Sequence, residues 1–474
     1  MMKFVYTIAL LILTFADSAK AQVYFNKLYD YDGSNSTSNH ATSCIELSNG
    51  DFLIGGNKFL PSFGALHFLR INSNGDTVLT KSYPKPGCGY YTATGNSLIK
   101  CYDGNYVQAG AYTDSGSTSL DALLIKLTEN GDTLWTRTYG GANFDNANVV
   151  CQTLDSGFVM MGVTQSYSAG AASDFYLIKT DKNGVFQWQK VYGTTLPEDC
   201  LSGQITLDGG FILAGHKNNQ LHIVKTDGNG NFQWEKTYPG TAGQAFVKQL
   251  ADSTYILVGA KSVAGLGYQA YMAKLTKSGT ITWSKTYGGS GDQQFYSMPI
   301  ILNDGSIVSS GVSTLADPWG LLIKTDSSGN QQWLRTFYAN SFNANYVYDL
   351  KLTSNNEFIM VGSGNVTGQD AWVIMVDSAG CEIANCNVGI EEFESSDSKL
   401  HVFPNPASSE ITLSIEGEEL NGYEITITDI LGKQQKMNGD HSKIPVSQLT
   451  SGVYIISAKR MDGKKYFSEK FLKQ

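Results

Sequence analysis

Along most of this 474-residue chain, short apolar and alternating runs are separated by clusters of Asp, Asn and Gly. That is the punctuation of strands joined by tight turns. In the clearest unit, Gly203-Gln204-Ile205-Thr206-Leu207 runs into Asp208-Gly209-Gly210 and then Phe211-Ile212-Leu213-Ala214-Gly215. After a variable stretch, Leu221-His222-Ile223-Val224-Lys225-Thr226 meets Asp227-Gly228-Asn229-Gly230, and a run from Phe232 to Tyr238 completes the unit. The pattern predicts a four-stranded antiparallel sheet. Its last strand recurs as Leu134-Trp135-Thr136-Arg137-Thr138-Tyr139, Gln187-Trp188-Gln189-Lys190-Val191-Tyr192, Thr282-Trp283-Ser284-Lys285-Thr286-Tyr287 and Gln332-Trp333-Leu334-Arg335-Thr336-Phe337. A strand-rich repeat of roughly fifty residues is the signature of a propeller blade.

The first hairpin recurs at Asn49-Gly50, Asp103-Gly104, Ser156-Gly157, Asp208-Gly209, Asp252-Ser253, Asp304-Gly305 and Asn355-Asn356. The second recurs at Gly75, Gly131, Gly184, Gly230, Gly279, Gly329 and Gly380. Both series count seven. The last unit lacks a Trp strand, while Tyr24-Phe25-Asn26-Lys27-Leu28-Tyr29 near the start matches one. A final sheet completed by residues 24–30 leaves no open edge. The expected fold is therefore all-β, a seven-bladed β-propeller over residues 22–389.

Composition fits this reading, with 50 Gly, 12% aromatic and only 16% charged residues. The net charge of -9, without a basic cluster inside the repeats, argues against nucleic acid as a partner. Met1-Met2-Lys3, an apolar run and Ala19-Lys20-Ala21 read as a signal peptide over residues 1–21. No later run is long enough to span a membrane. Among seven cysteines, Cys381 and Cys386 are close enough for a local disulfide, whereas Cys44, Cys88, Cys101, Cys151 and Cys200 read as small buried residues.

Beyond an acidic, polar linker at 390–399, period-two strands over 400–474 predict a small Ig-like β-sandwich. The repeats, best represented by 208–215 and 225–231, resemble the propeller repeats of bacterial secreted and surface proteins. Phe403-Pro404-Asn405-Pro406, Asp429 with Leu431-Gly432-Lys433, Gly452-Val453-Tyr454 and Lys470-Phe471 resemble the C-terminal sorting domain of type IX secretion substrates from Bacteroidetes-type bacteria. That resemblance implies export, the secretion machinery as a partner, and Pro404, Asn405, Pro406, Gly432, Lys433, Gly452 and Tyr454 as sorting-motif residues.

Strand polarity places both hairpins of a blade on one face and the variable connections on the other, where a binding site is expected. Candidate residues there are Tyr90, Tyr91, Asp145, Glu198, Asp199, Asp292, Phe342 and Asn343. The middle connections read as polar stretches rather than uniform tight turns, including 215–220. Acidic and aromatic groups at a propeller mouth suit a glycan, and two carboxylates suit acid–base chemistry. The competing reading is that the carboxylates cap loops, since equivalent positions elsewhere are Asn, Gln or small. Asp181, Asp227, Asp326 and Asp377 open turns, a role Asn72, Thr128 and Thr276 fill in other blades, so they do not read as calcium ligands. Asp30-Tyr31-Asp32-Gly33 is the pair most like a calcium loop and lacks further ligands. His67 and His222 occupy a packing position, and no metal, cofactor or nucleophile motif is present. The expected protein is a monomeric, secreted or surface-displayed propeller that binds a glycan or protein without catalysis. The alternatives are a polysaccharide-degrading hydrolase or lyase using the loop carboxylates, and a purely structural surface role.

Overall fold

A computed structural model of the chain describes residues 23–31, 38–60, 63–83, 85, 88–93, 96–117, 119–170, 172–289, 291–314, 319–339, 345–365, 369–382, 400–415, 419–429, 434–437, 443–460 and 466–474. The expected signal peptide and linker lie outside these residues, as do Asp32, Gly33, Phe342, Asn343, Cys386, Gly432 and Lys433. Every regular element among the described residues is a β-strand. The chain divides into two compact units after residue 384.

The first unit is a succession of antiparallel four- or five-stranded sheets, here numbered 1 to 7 in chain order. Sheet 3 is typical, with Asp145–Gln152, Phe158–Thr164, Asp174–Thr180 and Phe186–Tyr192 paired in sequence order. The two middle strands of that sheet are buried at every position, because both faces of the sheet are covered. A separate apolar cluster fills each space between neighbouring sheets, and Ala41, Cys44 and Phe52 of sheet 1 share one with Val361, Val373 and Met375 of sheet 7. The sheets therefore form a closed, propeller-like cycle, their first strands at the inner edge and their last strands outside.

Closure uses the segment expected for it. Phe25–Tyr29 pairs with Gln369–Val376, from Phe25 opposite Met375 to Tyr29 opposite Ala371, as the outer strand of sheet 7.

The repeated tryptophans fasten adjacent sheets. A Cβ added to Gly184 would lie 2.9 Å from the Trp135 ring of the preceding sheet, and Gly184 also has φ +74°. Glycine is thus required twice over, by backbone handedness and by the indole above it. Trp188, Trp234, Trp283 and Trp333 cover Gly230, Gly279, Gly329 and Gly380 in the same way, and Phe25 covers Gly75 across the closure. Except after Trp333, where Phe337 stands, a tyrosine four residues after each aromatic donates to the carbonyl of the same glycine: Tyr139 to Gly184 at 2.6 Å, Tyr238 to Gly279 at 2.8 Å and Tyr29 to Gly75 at 2.7 Å.

A second device links the two hairpins within a sheet. Lys225 Nζ lies 3.0 Å from Asp208, Lys179 2.9 Å from Asp155 and Lys126 2.5 Å from Asp103, with each lysine nearly buried. Burial opposes ionisation of Asp155 and Asp208, but Thr and Lys hydrogen bonds overcome it and hold both carboxyls down at about 2. At the second hairpin, Asp227 Oδ1 accepts from the amides of Asn229 and Asn231, while Asn72 and Thr276 accept from their own turns. The shared requirement is an acceptor rather than a charge.

In the first hairpin of sheet 3 the left-handed turn residue is Ser156, φ +64°. One local expectation changes. The middle connection of sheet 4 is a tight two-residue turn, with Asn218 and Asn219 at φ +48° and +61°; two consecutive left-handed residues match the twist of a hairpin, and Asn tolerates them.

The second unit has a three-stranded and a four-stranded antiparallel sheet around a core of Ile411, Leu413, Ile425, Ile427, Ile456 and Phe471. Asn405 binds both the Lys470 carbonyl and the Leu472 amide at 2.9 Å, flanked by cis Pro404 and Pro406. Tyr454 stacks on Phe471 with centroids 5.6 Å apart and donates to the Thr450 carbonyl at 2.9 Å. Gly452 pairs with Lys473.

Candidate functional site

The inner edge of the cycle carries one equivalent residue from every sheet: His40, Tyr91, Asn146, Asp199, Gln244, Gln294 and Tyr346. Each has its carbonyl oxygen against a glycine of the second strand, as with Gly56 over His40 and Gly362 over Tyr346, where a Cβ would collide with that oxygen. Close backbone approach explains the glycine that ends each apolar run. All seven side chains are half-buried.

The ring is divided by chemistry. On sheets 7, 1 and 2 the residues are Tyr346, His40 and Tyr91; on sheets 3 to 6 they are Asn146, Asp199, Gln244 and Gln294. Neighbouring aromatics extend the first arc into a continuous line. Tyr296 and Tyr346 are 6.3 Å apart, Tyr346 and Tyr348 6.0 Å, Tyr348 and His40 6.3 Å, His40 and Phe59 5.2 Å, and Phe59 and Tyr91 6.2 Å. Tyr296, Tyr348 and Phe59 are also half-buried, so ring faces are available beside polar edges. In the polar arc, Asn146 donates to Asn148 at 2.9 Å and its buried Oδ1 has no partner among the described residues. Asp199 faces His216 across one strand pair, with Oδ2 3.3 Å from Nε2, and the buried Nδ1 of His216 has no partner among the described residues.

The expected site residues separate into two groups. Tyr91 and Asp199 belong to the ring. Tyr90 lies 4.9 Å from Tyr112, whose ring is covered by the Lys85 ammonium. The other carboxylates are engaged by their own loops. Asp145, fully buried, accepts from Thr164, from Ser166 at 2.6 Å and from the Gly141 amide at 2.8 Å. Glu198, 1% exposed, accepts from the Thr194 amide at 2.9 Å and pairs with Lys217 at 2.8 Å. Asp292 accepts from the Tyr268 amide at 2.7 Å. These three brace connections, and burial keeps Asp145 and Glu198 from a ligand. Phe342 and Asn343 lie outside the described residues.

His40, Asn146, Gln244, Gln294 and Tyr346 were not among the expected site residues. For three of them the sequence signal is spacing, since His40, Asn146 and Tyr346, like Asp199, precede the left-handed residue of the first hairpin by ten positions, whereas Gln244 precedes it by nine and Gln294 by eleven. Residue type varies at this position, so a search for recurring letters passes over it.

His67 and His222 are buried inside sheets, with Nδ1 2.7 Å from Ser82 Oγ and 2.8 Å from Thr237 Oγ1. Burial, reinforced by Lys58 and Lys217 respectively, pushes their imidazoles down to about 3 and about 4. Cys44, Cys88, Cys101, Cys151 and Cys200 are free thiols, and Cys381 is disulfide-bonded.

Residues 401–474 match the family described as "Secretion system C-terminal sorting domain". The C-terminal unit thus supports sorting by the type IX secretion system of Bacteroidetes-type bacteria, and the protein is exported to the extracellular space or the outer cell surface. A 151-residue stretch is 28% identical to an endo-acting ulvan lyase from Formosa agariphila, covering 31% of this chain and 28% of that protein's length. Among solved structures, the BP39L lectin from Burkholderia pseudomallei aligns with a TM-score of 0.51 at 10% identity, over 73% of this chain and 97% of that one. Polysaccharide lyase Uly1 aligns with a TM-score of 0.41 at 8% identity, over 76% and 93%. The lectin likeness is one of fold alone.

Proposed function

We propose that the first unit is a seven-bladed β-propeller, displayed or released outside the cell ahead of an Ig-like sorting domain, that binds a glycan at the inner ring of its variable-connection face. The observation carrying this reading is the division of seven equivalent positions into an aromatic arc and an amide–carboxylate arc. Where a position serves the fold, as at the Trp and Gly contacts between blades, the residue type repeats. At the ring it does not. Aromatic faces suit the C–H faces of pyranoses, and Asn, Gln and Asp facing them suit hydroxyl groups; a few placed polar groups beside apolar rings are the usual makings of a ligand site.

The test is binding of the exported full-length protein to a panel of polysaccharides, followed by Tyr346→Ala and Gln294→Ala. Each variant should weaken the best ligand about ten-fold, equivalent to ~1.4 kcal/mol, without a change in melting temperature. Unchanged affinity in both would sink the proposal.

A polysaccharide-degrading activity is a second reading, supported by the Asp199–His216 pair at the ring and by the partial likeness to an ulvan lyase. It would place acid–base work on that pair rather than on the loop carboxylates. Ulvan and related polysaccharides incubated with the protein should then be shortened, and Asp199→Asn with His216→Gln should abolish the shortening while binding persists. Intact polymer throughout would leave the binding role alone.

A further inference from the structure

A second ring circles the inner edge nearer the hairpins. Ile45, Ile99, Cys151, Gln204, Lys248, Ile300 and Lys351 pair in equivalent register with Leu53, Val107, Val159, Ile212, Ile256, Val308 and Ile359. All seven are half-buried. Three isoleucines and Cys151 make the ring partly apolar; its polar members are Gln204, which accepts from the Gln249 amide, and two lysines, from blades 5 and 7.

Their environments differ. Lys351 is compensated: its Nζ lies 2.9 Å from Asp349 Oδ1 and 3.1 Å from Asn96 Oδ1 of blade 2. Asp349 also accepts from the amides of Cys44 at 3.1 Å and Leu350 at 2.9 Å, so its oxygens are already engaged. The Lys248 ammonium has no hydrogen bond or ion pair among the described residues, and Lys351 and the free thiol of Cys151 lie close enough to act on it electrostatically. Burial, then repulsion from Lys351, lowers the ammonium from its ordinary value, while Cys151 raises it. The Cys151 thiol is itself pushed up to about 11 by burial, so it supplies no negative charge at neutral pH. The ring thus carries two lysines, and Asp349, the carboxylate beside it, is engaged with Lys351, so Lys248 is left without a counter-ion among the described residues.

We propose that the Lys248–Lys351 ring is an anion site, holding a small oxyanion between blades 5 and 7 at the hairpin end of the inner edge. The anion takes hydrogen bonds from Lys248 and from the part of the Lys351 ammonium left open by Asp349, and Ile45, Ile99 and Ile300 keep the ring poor in water. Charge-assisted bonds in such surroundings are stronger than their exposed counterparts. This site is separate from the proposed glycan ring and depends on neither reading of that ring.

The experiment uses the full-length protein and inorganic phosphate. Melting temperature is followed as phosphate is titrated against sodium chloride at matched ionic strength, and calorimetry measures binding directly. A saturable rise specific to phosphate is expected, with phosphate slowing modification of Cys151 by a thiol reagent. Lys248→Met should weaken phosphate binding at least ten-fold and leave the phosphate-free melting temperature unchanged or higher, since it removes an uncompensated charge. Lys248→Arg should retain binding, which separates loss of charge from loss of fold. No phosphate-specific rise in the wild type, or an undiminished rise in Lys248→Met, overturns the assignment.

Discussion

His67 and His222 occupy the same place in their sheets as Leu123, Tyr176, Tyr271, Leu321 and Trp372, and that shared place marks them in sequence as packing residues. The structure adds their cost in acid. Glu235 lies 3.7 Å from His222 Nε2, yet burial dominates and both imidazoles stay neutral in the fold, at about 4 for His222 and about 3 for His67. An unfolded histidine titrates near 6.5, so between these values the unfolded chain binds more protons than the folded one. Their contribution is complete above pH ~6.5 and declines as pH falls toward 4 for His222 and 3 for His67. The depressed carboxyls of Asp155 and Asp208 add a separate loss between their unfolded value of ~3.9 and about 2. Melting temperature should therefore fall by several degrees from pH 7 to 4.5, and His67→Leu with His222→Tyr, which copies residues used by other sheets, should flatten much of that slope. An unaltered slope in the double variant would place the acid sensitivity elsewhere. The inner-ring residues were much less legible, because a position whose residue type varies from sheet to sheet has no recurring letter to find.

Among elements, the outer strand with its Trp and Tyr was readable from the repeat, but its task was not. The letters suggest core packing; the contacts show a clamp on the next sheet, with the indole over one glycine and the phenol on that glycine's carbonyl. Phe25–Tyr29 performs this task between the chain's ends, where Lys27 also reaches the carbonyls of Asn74 and Gly75 and Asn26 accepts from Trp372 at 2.6 Å. Removing its two anchors by Phe25→Ala and Tyr29→Ala should cost about 3–5 kcal/mol. It should also uncover the strand Gln369–Val376, whose Trp372-Val373-Ile374-Met375-Val376 run is apolar, as an edge able to pair with another chain. Light scattering should register association as well as a lower melting temperature; a monomer of unchanged stability would show that closure does not depend on this strand. The variable connections were harder to read, since the same polar letters make the tight Asn218-Asn219 turn and the carboxylate-braced loops of Asp145 and Glu198.

For the molecule as a whole, the change of pattern after the last repeat separates two tasks, and the C-terminal unit has its own apolar core. Deleting residues 401–474 should abolish appearance of the protein in the medium or on the cell surface while it accumulates inside the envelope; continued export would assign sorting to another segment. Sequence by itself determined the repeat, its count of turns, the strand kept for closure and the sorting module, because tight turns, strand alternation and short recognition motifs are local and each writes its own letters. Only the tertiary structure decided which carboxylates are buried braces, which glycines lie beneath an indole or over a carbonyl, and which residues meet at the inner edge. The relations between sheets join positions from about fifty to about three hundred residues apart, such as Thr42 with Thr92 and Cys44 with Asp349, while the braces and the glycine–carbonyl contacts join different strands or loops of one sheet. The former exist only once the cycle has closed and set one strand from every sheet around a common edge.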